Sequence, residues 1–218
     1  MGESHRDGSY YGQVIPRQIA AQLETWFPSG VGVASSEIRH DLMILPEEEP
    51  LVARAVARRK CEFATGRWCA RQALAALNIA PAPILMGPRR GPIWPDGATG
   101  SITHTSHMCA AIAGRRASFK GLGIDLVEVS TSEPILAASK EVVFNAGEDC
   151  SPVVFSAKES VIKAVSAQFD QWMEFTDVVI TLDGAAFEAS VKNLPTPVAG
   201  WWAKFDDLIL TATAIRSP

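Results

Sequence analysis

No stretch of this 218-residue sequence reaches the roughly 18 to 20 uninterrupted apolar residues that a bilayer-crossing helix needs. A soluble globular chain is therefore expected. The first seven residues, Met1 to Asp7, hold no basic patch followed by a hydrophobic run, so they do not read as a secretory signal, and a cytoplasmic location is expected. Cysteine is scarce: Cys61, Cys69, Cys109 and Cys150 stand at spacings of eight, forty and forty-one, with no zinc-like pair among them. Buried free thiols are the expectation in a reducing compartment. Three signatures are also missing. There is no Gly-x-x-x-x-Gly-Lys-Ser/Thr phosphate loop, and Gly121-Leu122-Gly123 is too short for a dinucleotide fingerprint. No Gly-x-Ser-x-Gly elbow or close Ser, His, Asp order suggests a hydrolase.

What is present is unevenly charged. Residues 1–122 carry fourteen Lys and Arg against ten Asp and Glu, whereas 123–218 carry six against fourteen, about +4 followed by about −8. Such a dipole suits an anionic ligand met by arginines on one side and by carboxylate-held metal on the other; nucleic acid usually meets a broader basic surface. The length allows one domain or two half-size lobes.

Residues 1–16 are polar and Gly-rich and read as poorly ordered, with an amphipathic helix from Arg17 to Phe27 closed by Pro28-Ser29-Gly30. A strand is expected at Gly32 to Ala34. After a turn at Pro46 to Pro50, Leu51 to Leu77 has apolar residues three and four apart and forms the longest helical region. Pro81 to Gly97 is dense in turn residues and should hold two short extended pieces. Ser101 to Thr105 reads as a strand end, and Met108 to Ala113 is apolar without a clear period. Strands are expected at Leu122 to Val127, Val178 to Leu182, Ala186 to Ala189, around Trp201 to Phe205 and at Leu208 to Ala214. Helices are expected at Ile135 to Val142 and from Ala157 to about Phe169. The result is an α+β chain of two lobes, 1–122 and 123–218.

Several residues in these elements can carry chemistry, and each has an ordinary alternative. Asp125, among Leu122, Ile124, Leu126 and Val127, is either a surface strand acid or a buried carboxylate that needs a cation. Glu159 follows Ser156 by three, the spacing of a capping box, yet it also projects a carboxylate suited to a hard divalent ion. Lys163 shares its face one turn on, as a surface ion-pair partner or a phosphate contact. On the first long helix Arg59 and Arg67 differ by about 80° around the axis, while Arg67 and Arg71 share a face. Such arginines are commonly solvated, but guanidinium forks also grip phosphates. His104, flanked by Thr103 and Thr105, is either a core or surface histidine or a phosphate donor.

Taken in order, Arg59-Lys60-Cys61-Glu62-Phe63 through Gly66-Arg67-Trp68-Cys69-Ala70-Arg71, Pro92-Ile93-Trp94-Pro95-Asp96-Gly97, Gly100 to His104, Gly123-Ile124-Asp125 and Phe155-Ser156-Ala157-Lys158-Glu159-Ser160-Val161-Ile162-Lys163-Ala164 resemble the 4′-phosphopantetheinyl transferases. The resemblance is to the larger, monomeric kind typified by enterobactin synthase component D, and it spans about residues 58 to 164. It implies two similar α+β lobes in a pseudo-twofold arrangement with coenzyme A, the substrate, in the cleft. The implied reaction moves phosphopantetheine to a serine of an apo acyl or peptidyl carrier protein and releases adenosine 3′,5′-bisphosphate; neither nucleic acid nor membrane is a partner. By matching position, Arg59, Arg67, Thr103, His104, Lys158 and Lys163 would bind coenzyme A. Asp125 and Glu159 would hold Mg²⁺, with Mn²⁺ the alternative. Glu159, Lys163 and Asp125 would form the catalytic set.

Two positions depart from the family pattern. Val127 stands where larger members carry a second carboxylate two residues after the aspartate, leaving Glu128 or water to replace it. Met86 stands where some relatives have a lysine, and Arg89 or Arg90 would supply that charge. The alternative reading is a non-catalytic scaffold that binds coenzyme A or a carrier protein through a degenerate metal site.

Overall fold

Two sheets, each backed by one long helix, organise the chain; the structure is a computed structural model and describes residues 8–87, 90–149, 151–166 and 173–218. In the first lobe β1 (Val31–Glu37), β4 (Ala98–His104) and β5 (Met108–Arg115) form an antiparallel sheet in the order β1-β5-β4. Against it packs α2 (Ala57–Ala75). A short hairpin, β2 (Leu85–Met86) and β3 (Pro92–Ile93), lies between them in sequence and matches the two extended pieces expected there.

The second lobe is a five-stranded antiparallel sheet in the order β6-β10-β9-β8-β7, with β6 (Phe119–Glu128), β7 (Val178–Asp183), β8 (Ala186–Val191), β9 (Val198–Phe205) and β10 (Leu208–Arg216). Its helix is α5 (Pro152–Val165), preceded by α3 (Val129–Ala138) and α4 (Lys140–Val143). The change of sheet falls at the start of β6, which runs through the 122/123 position. Period-two patterning places Phe187, Ala189 and Val191 of β8 inward beneath α5, beside Val178 and Ile180 of β7.

A shared core joins the lobes. In α1 (Gly8–Trp26) the residues Ile19, Leu23 and, just beyond, Phe27 fall four apart, and they pack with Met108, Ala110 and Ile112 of β5 and with Leu122, Ile124 and Leu210 of β6 and β10. The helix begins earlier than the expected Arg17. Proline suits a first helical turn, but Pro16 lies inside α1 and its carbonyl accepts a hydrogen bond from the Ser35 hydroxyl.

Where the two sheets meet, β4 and β6 are both edge strands. Hydroxyl side chains replace a backbone ladder between them: Ser101 Oγ accepts the Ile124 N–H at 3.1 Å and Thr103 Oγ1 accepts the Leu126 N–H at 2.9 Å. Alternation along β4 puts both hydroxyls on one side, so the buried amides of β6 are satisfied. On its other side β6 approaches α5 so closely that a Cβ on Gly121 or Gly123 would overlap the carbonyl oxygens of Ala164 and Ser160. Gly123→Ala is expected to push α5 off the strand, lowering stability by about 1–3 kcal/mol or more in urea unfolding and reducing activity with it.

Two further expectations change. Met108 to Ala113, ambiguous in sequence, is strand β5, buried on both faces between β1 and β4. The second long helix starts at Pro152, not Ala157: Ser151 is its N-cap, accepting the Val154 N–H at 3.4 Å, with proline at the first helical position. Ser156 therefore sits inside the helix, and the expected Ser156 and Glu159 capping box does not form. Residues 167–172 and Cys150 lie outside the described residues. Cys61 is half-buried, Cys69 and Cys109 are buried, and all three are free thiols.

Candidate active site

Asp125 is the centre of the cluster, and three strands of argument from the fold meet on it. Its place on β6 buries it to 7% exposure beneath α5. Its Oδ1 accepts from Thr103 Oγ1 at 3.1 Å and from Lys163 Nζ at 2.7 Å, and its Oδ2 accepts from Ser156 Oγ at 2.9 Å. Thr211 of β10 lies opposite Asp125 in the β6 ladder, contacts the Ser156 hydroxyl at 3.0 Å and donates to the Ser156 carbonyl at 2.8 Å. Every group around the carboxylate is thus a donor fixed by a second contact, and its rotamer is set before any ligand arrives.

Lys163 also donates to the Ile124 carbonyl at 3.2 Å, and Glu159 Oε2 stands 3.9 Å from its ammonium. Burial pulls the Lys163 pKa down, but the Asp125 and Glu159 charges outweigh it and the net shift is upward. Glu159 moves upward as well: burial raises it most, Asp125 adds to that, and Lys163 opposes both. Lys163 lies between the two carboxylates that would hold a divalent ion. Oxygen donors of this kind suit a hard divalent ion, which would take Glu159 and the remaining lone pair of Asp125 once the ammonium turns outward. Among the described residues no group of three His, Cys, Asp or Glu side chains gathers at one point, so water or substrate oxygens would have to fill the other positions.

The position of Val127 explains that shortage. Val127 is buried on the same side of β6 as Asp125, whereas Glu128 is not brought round to that side. The β6 and β10 register runs unbroken from Leu122 to Glu128, so no bulge turns it inward, and its carboxylate accepts from Ser106 Oγ at 2.9 Å.

One residue beyond Thr103, on the opposite side of β4, His104 faces α2. Arg59 Nη1 lies 2.6 Å from His104 Nε2 and 3.2 Å from Glu62 Oε2. A guanidinium only donates, so Nε2 must accept and the ring proton belongs on Nδ1, which points at the Thr105 carbonyl 3.4 Å away. Burial, and then Arg59, holds the His104 pKa below its ordinary value. Both effects favour the neutral ring. Glu62, with 6% exposure, ties this pair down and also meets Arg58 at 3.4 Å.

Arg67, two turns along α2, is 9% exposed and stacks on the Phe63 ring with its guanidinium carbon 4.6 Å from the centroid. Burial pushes its pKa down to about 10. Arg71, which shares its face in the helical projection, is bound at 2.8 Å by the fully buried Glu48.

Not every residue named from sequence joins the cluster. Lys158 is fully buried on the far side of α5, where its ammonium meets Glu148 at 2.6 Å, the Val143 carbonyl at 3.0 Å and the Phe175 carbonyl at 3.2 Å. That environment holds it in the core of the second lobe, with its donors spent, and corrects the expectation of a phosphate contact. Arg90 is exposed at the β2–β3 turn with φ of 63°, Met86 is exposed beside it, and Arg89 lies outside the described residues. Sequence reasoning missed Ser156, Thr211, Glu62 and Glu48; only Ser156 carried a signal, its fixed offset from Glu159.

No described helix is long and apolar enough to cross a membrane. Residues 47–114, which contain Arg59, Arg67, Thr103 and His104, match the model of the 4′-phosphopantetheinyl transferase N-terminal domain. The chain is 37% identical to 4′-phosphopantetheinyl transferase PptT of Mycobacterium tuberculosis, over 76% of this chain and 72% of that one. It is 34% identical to the transferase Svp of Streptomyces mobaraensis, covering 92% and 90%, and 32% identical to Npt of Nocardia iowensis, covering 88% and 99%. A two-lobed α+β fold, a carboxylate and lysine cluster at the lobe junction, and similarity along most of three such enzymes agree: the chain belongs to the 4′-phosphopantetheinyl transferase family, whose general reaction carries the phosphopantetheine of coenzyme A to a carrier-protein serine.

Proposed function

We propose that this chain performs that transfer at the Asp125, Glu159 and Lys163 cluster, in a Mg²⁺-dependent reaction, with coenzyme A held by Arg59, Arg67, Thr103, His104 and Arg90. The observation that carries the assignment is the Lys163 ammonium seated 2.7 Å from Asp125 and 3.9 Å from Glu159, at the end of the strand that presents His104. Arg59, held by the His104 ring that accepts from it, meets the phosphates on the adenosine side, and Arg67 adds a stacked cation behind them. Thr103 keeps Asp125 oriented. Asp125 and Glu159 would hold the ion, which when bound supplies charge compensation at the pyrophosphate.

The serine hydroxyl of an apo acyl or peptidyl carrier protein attacks the phosphorus that bears the pantetheine arm. A new P–O bond forms, the pyrophosphate P–O bond breaks, and adenosine 3′,5′-bisphosphate leaves with the electron pair. Glu159, or a water it holds, accepts the serine proton. Lys163, released from Asp125, donates to the oxygens on which charge develops. We read the enzyme as a cytoplasmic monomer, in keeping with its self-contained shared core.

Intact mass of an apo carrier protein after incubation with this protein, coenzyme A and Mg²⁺ tests the proposal, with the same mixture lacking the ion as control. Gain of the phosphopantetheine mass only with the ion supports it. Coenzyme A binding without transfer across a panel of carriers favours the second reading, a non-catalytic scaffold, for which Val127 is the motivating residue. Val127→Glu would place a third carboxylate on the Asp125 side of β6. Titration calorimetry of that variant is expected to show Mg²⁺ binding strengthened by about tenfold or more, as added ligand charge dictates.

A further inference from the structure

We infer that Glu48 is the positioning residue of the coenzyme A arginines, acting through Arg67 and Arg71; the inference rests on Arg67 binding a phosphate of coenzyme A. Glu48 begins a one-turn 3₁₀ helix (Glu49–Val52) before α2 and is completely buried. A lone buried carboxylate is costly unless donors surround it. Its Oε1 takes two, the Arg71 guanidinium and the Ile84 N–H, each at 2.8 Å. One oxygen therefore ties α2 to the residue that enters the β2–β3 hairpin, the two elements that carry Arg67 and Arg90.

The other oxygen is what singles this residue out. Glu48 Oε2 and Arg67 Nε are the buried side-chain polar atoms without a hydrogen bond among the described residues. Arg67 is crowded by the like charges of Arg71 and Arg59, and Glu48 is the chief group that favours its charged form. A buried acceptor and a buried donor are thus left open in the same cationic nest, with the ring of Phe63 fixing the guanidinium plane. The arrangement holds two arginines aligned, yet leaves the outer guanidinium nitrogens of Arg67 uncommitted for an anion among the described residues. Glu48 touches neither substrate nor reacting atoms in this scheme.

Glu48→Gln tests it. The amide keeps the shape and one carbonyl acceptor for Arg71 and Ile84, but it removes the charge and can set an N–H against Arg67 Nε. Titration calorimetry with coenzyme A and with adenosine 3′,5′-bisphosphate is expected to show affinity weakened about tenfold. In steady-state assays the loss should fall on KM for coenzyme A more than on kcat. In an Arg67→Ala background the same substitution should add little, because the route through Arg67 is gone. A purely structural Glu48 would lower kcat through the folded fraction, leave KM alone and add its full effect to Arg67→Ala. That outcome, or a Glu48→Gln protein that binds as tightly as the parent or more so, overturns the inference. Arg67→Ala binding coenzyme A like the parent would instead remove the reading beneath it, and the inference with it. Glu48→Asp, which keeps the charge but withdraws it by one methylene, is expected to show the same weakening and carries the test if the glutamine variant does not fold.

Discussion

Glu159→Gln is expected to lower carrier-protein transfer by about 10²–10⁴-fold, the range for loss of a positioned general base, while leaving the fold intact. The geometry separates the two effects. Glu159 projects from the middle of α5 with 30% of its side chain exposed, and among the described residues its ion pair is the loose 3.9 Å approach to Lys163. Its carboxyl pKa is raised, by burial first and by Asp125 second. A carboxylate whose folded pKa lies above its unfolded value weakens the fold as it ionises, so removing the charge should leave thermal stability unchanged or slightly higher at neutral pH. The rate carries a signature of its own. Transfer by the parent enzyme should rise with pH as the base ionises, because it must be unprotonated to accept the serine proton. The glutamine variant should lack that limb. Transfer that survives at the parental rate would place the base elsewhere; unfolding together with inactivity would mean that the carboxylate is structural.

The α+β class and most strands were legible in the sequence for one physical reason: their signals are local, whereas the roles of Asp125, Glu159 and Lys163 came only with the family resemblance. Runs rich in Val, Ile and other strand formers marked β6, β7, β8 and β10 within a residue or a few of their bounds, and the four-residue step from Glu159 to Lys163 placed both on one face of α5. The groups that complete the site come from far along the chain. Thr211 reaches Ser156 across 55 residues, and Glu48 reaches Ile84 across 36. Nothing in a local window reports such closures. The start of α5 was misplaced because one capping signal competed with a better one, Ser156 with Ser151 followed by Pro152. Lys158 is a different case, since its direction could have been read: five residues from Lys163 is about 500° of helix, leaving the two ammonium groups about 140° apart around the axis. One lysine of the pair had to face away from Asp125.

That opposite face supplies the largest expected effect on stability. Lys158→Ala should destabilise the protein by about 3–5 kcal/mol, because it leaves the buried Glu148 carboxylate without its ammonium. Neither side chain is more than 3% exposed, so water cannot replace the lost partner. The Val143 and Phe175 carbonyls lose their donor at the same time. For a domain of this size the melting temperature should fall by about 10 °C or more. Glu148 sharpens the test through pH. Burial tends to raise its pKa, but the Ile180 N–H, Lys158 and the Asn145 N–H outweigh this and hold it below the ordinary 4.5. Its contribution is therefore present above the unfolded carboxylate pKa and disappears as pH falls through the folded value. In Lys158→Ala, protonating Glu148 removes a buried charge that has lost its ammonium, so urea unfolding should show the gap between variant and parent narrowing toward acid. The paired replacement Glu148→Gln with Lys158→Met should recover much of the loss at neutral pH, as removal of both charges does for buried pairs. If Lys158 instead served coenzyme A, its alanine variant would keep its melting temperature and lose affinity for the substrate. The two outcomes fall on different axes of measurement, and the 2.6 Å contact with Glu148 predicts the first.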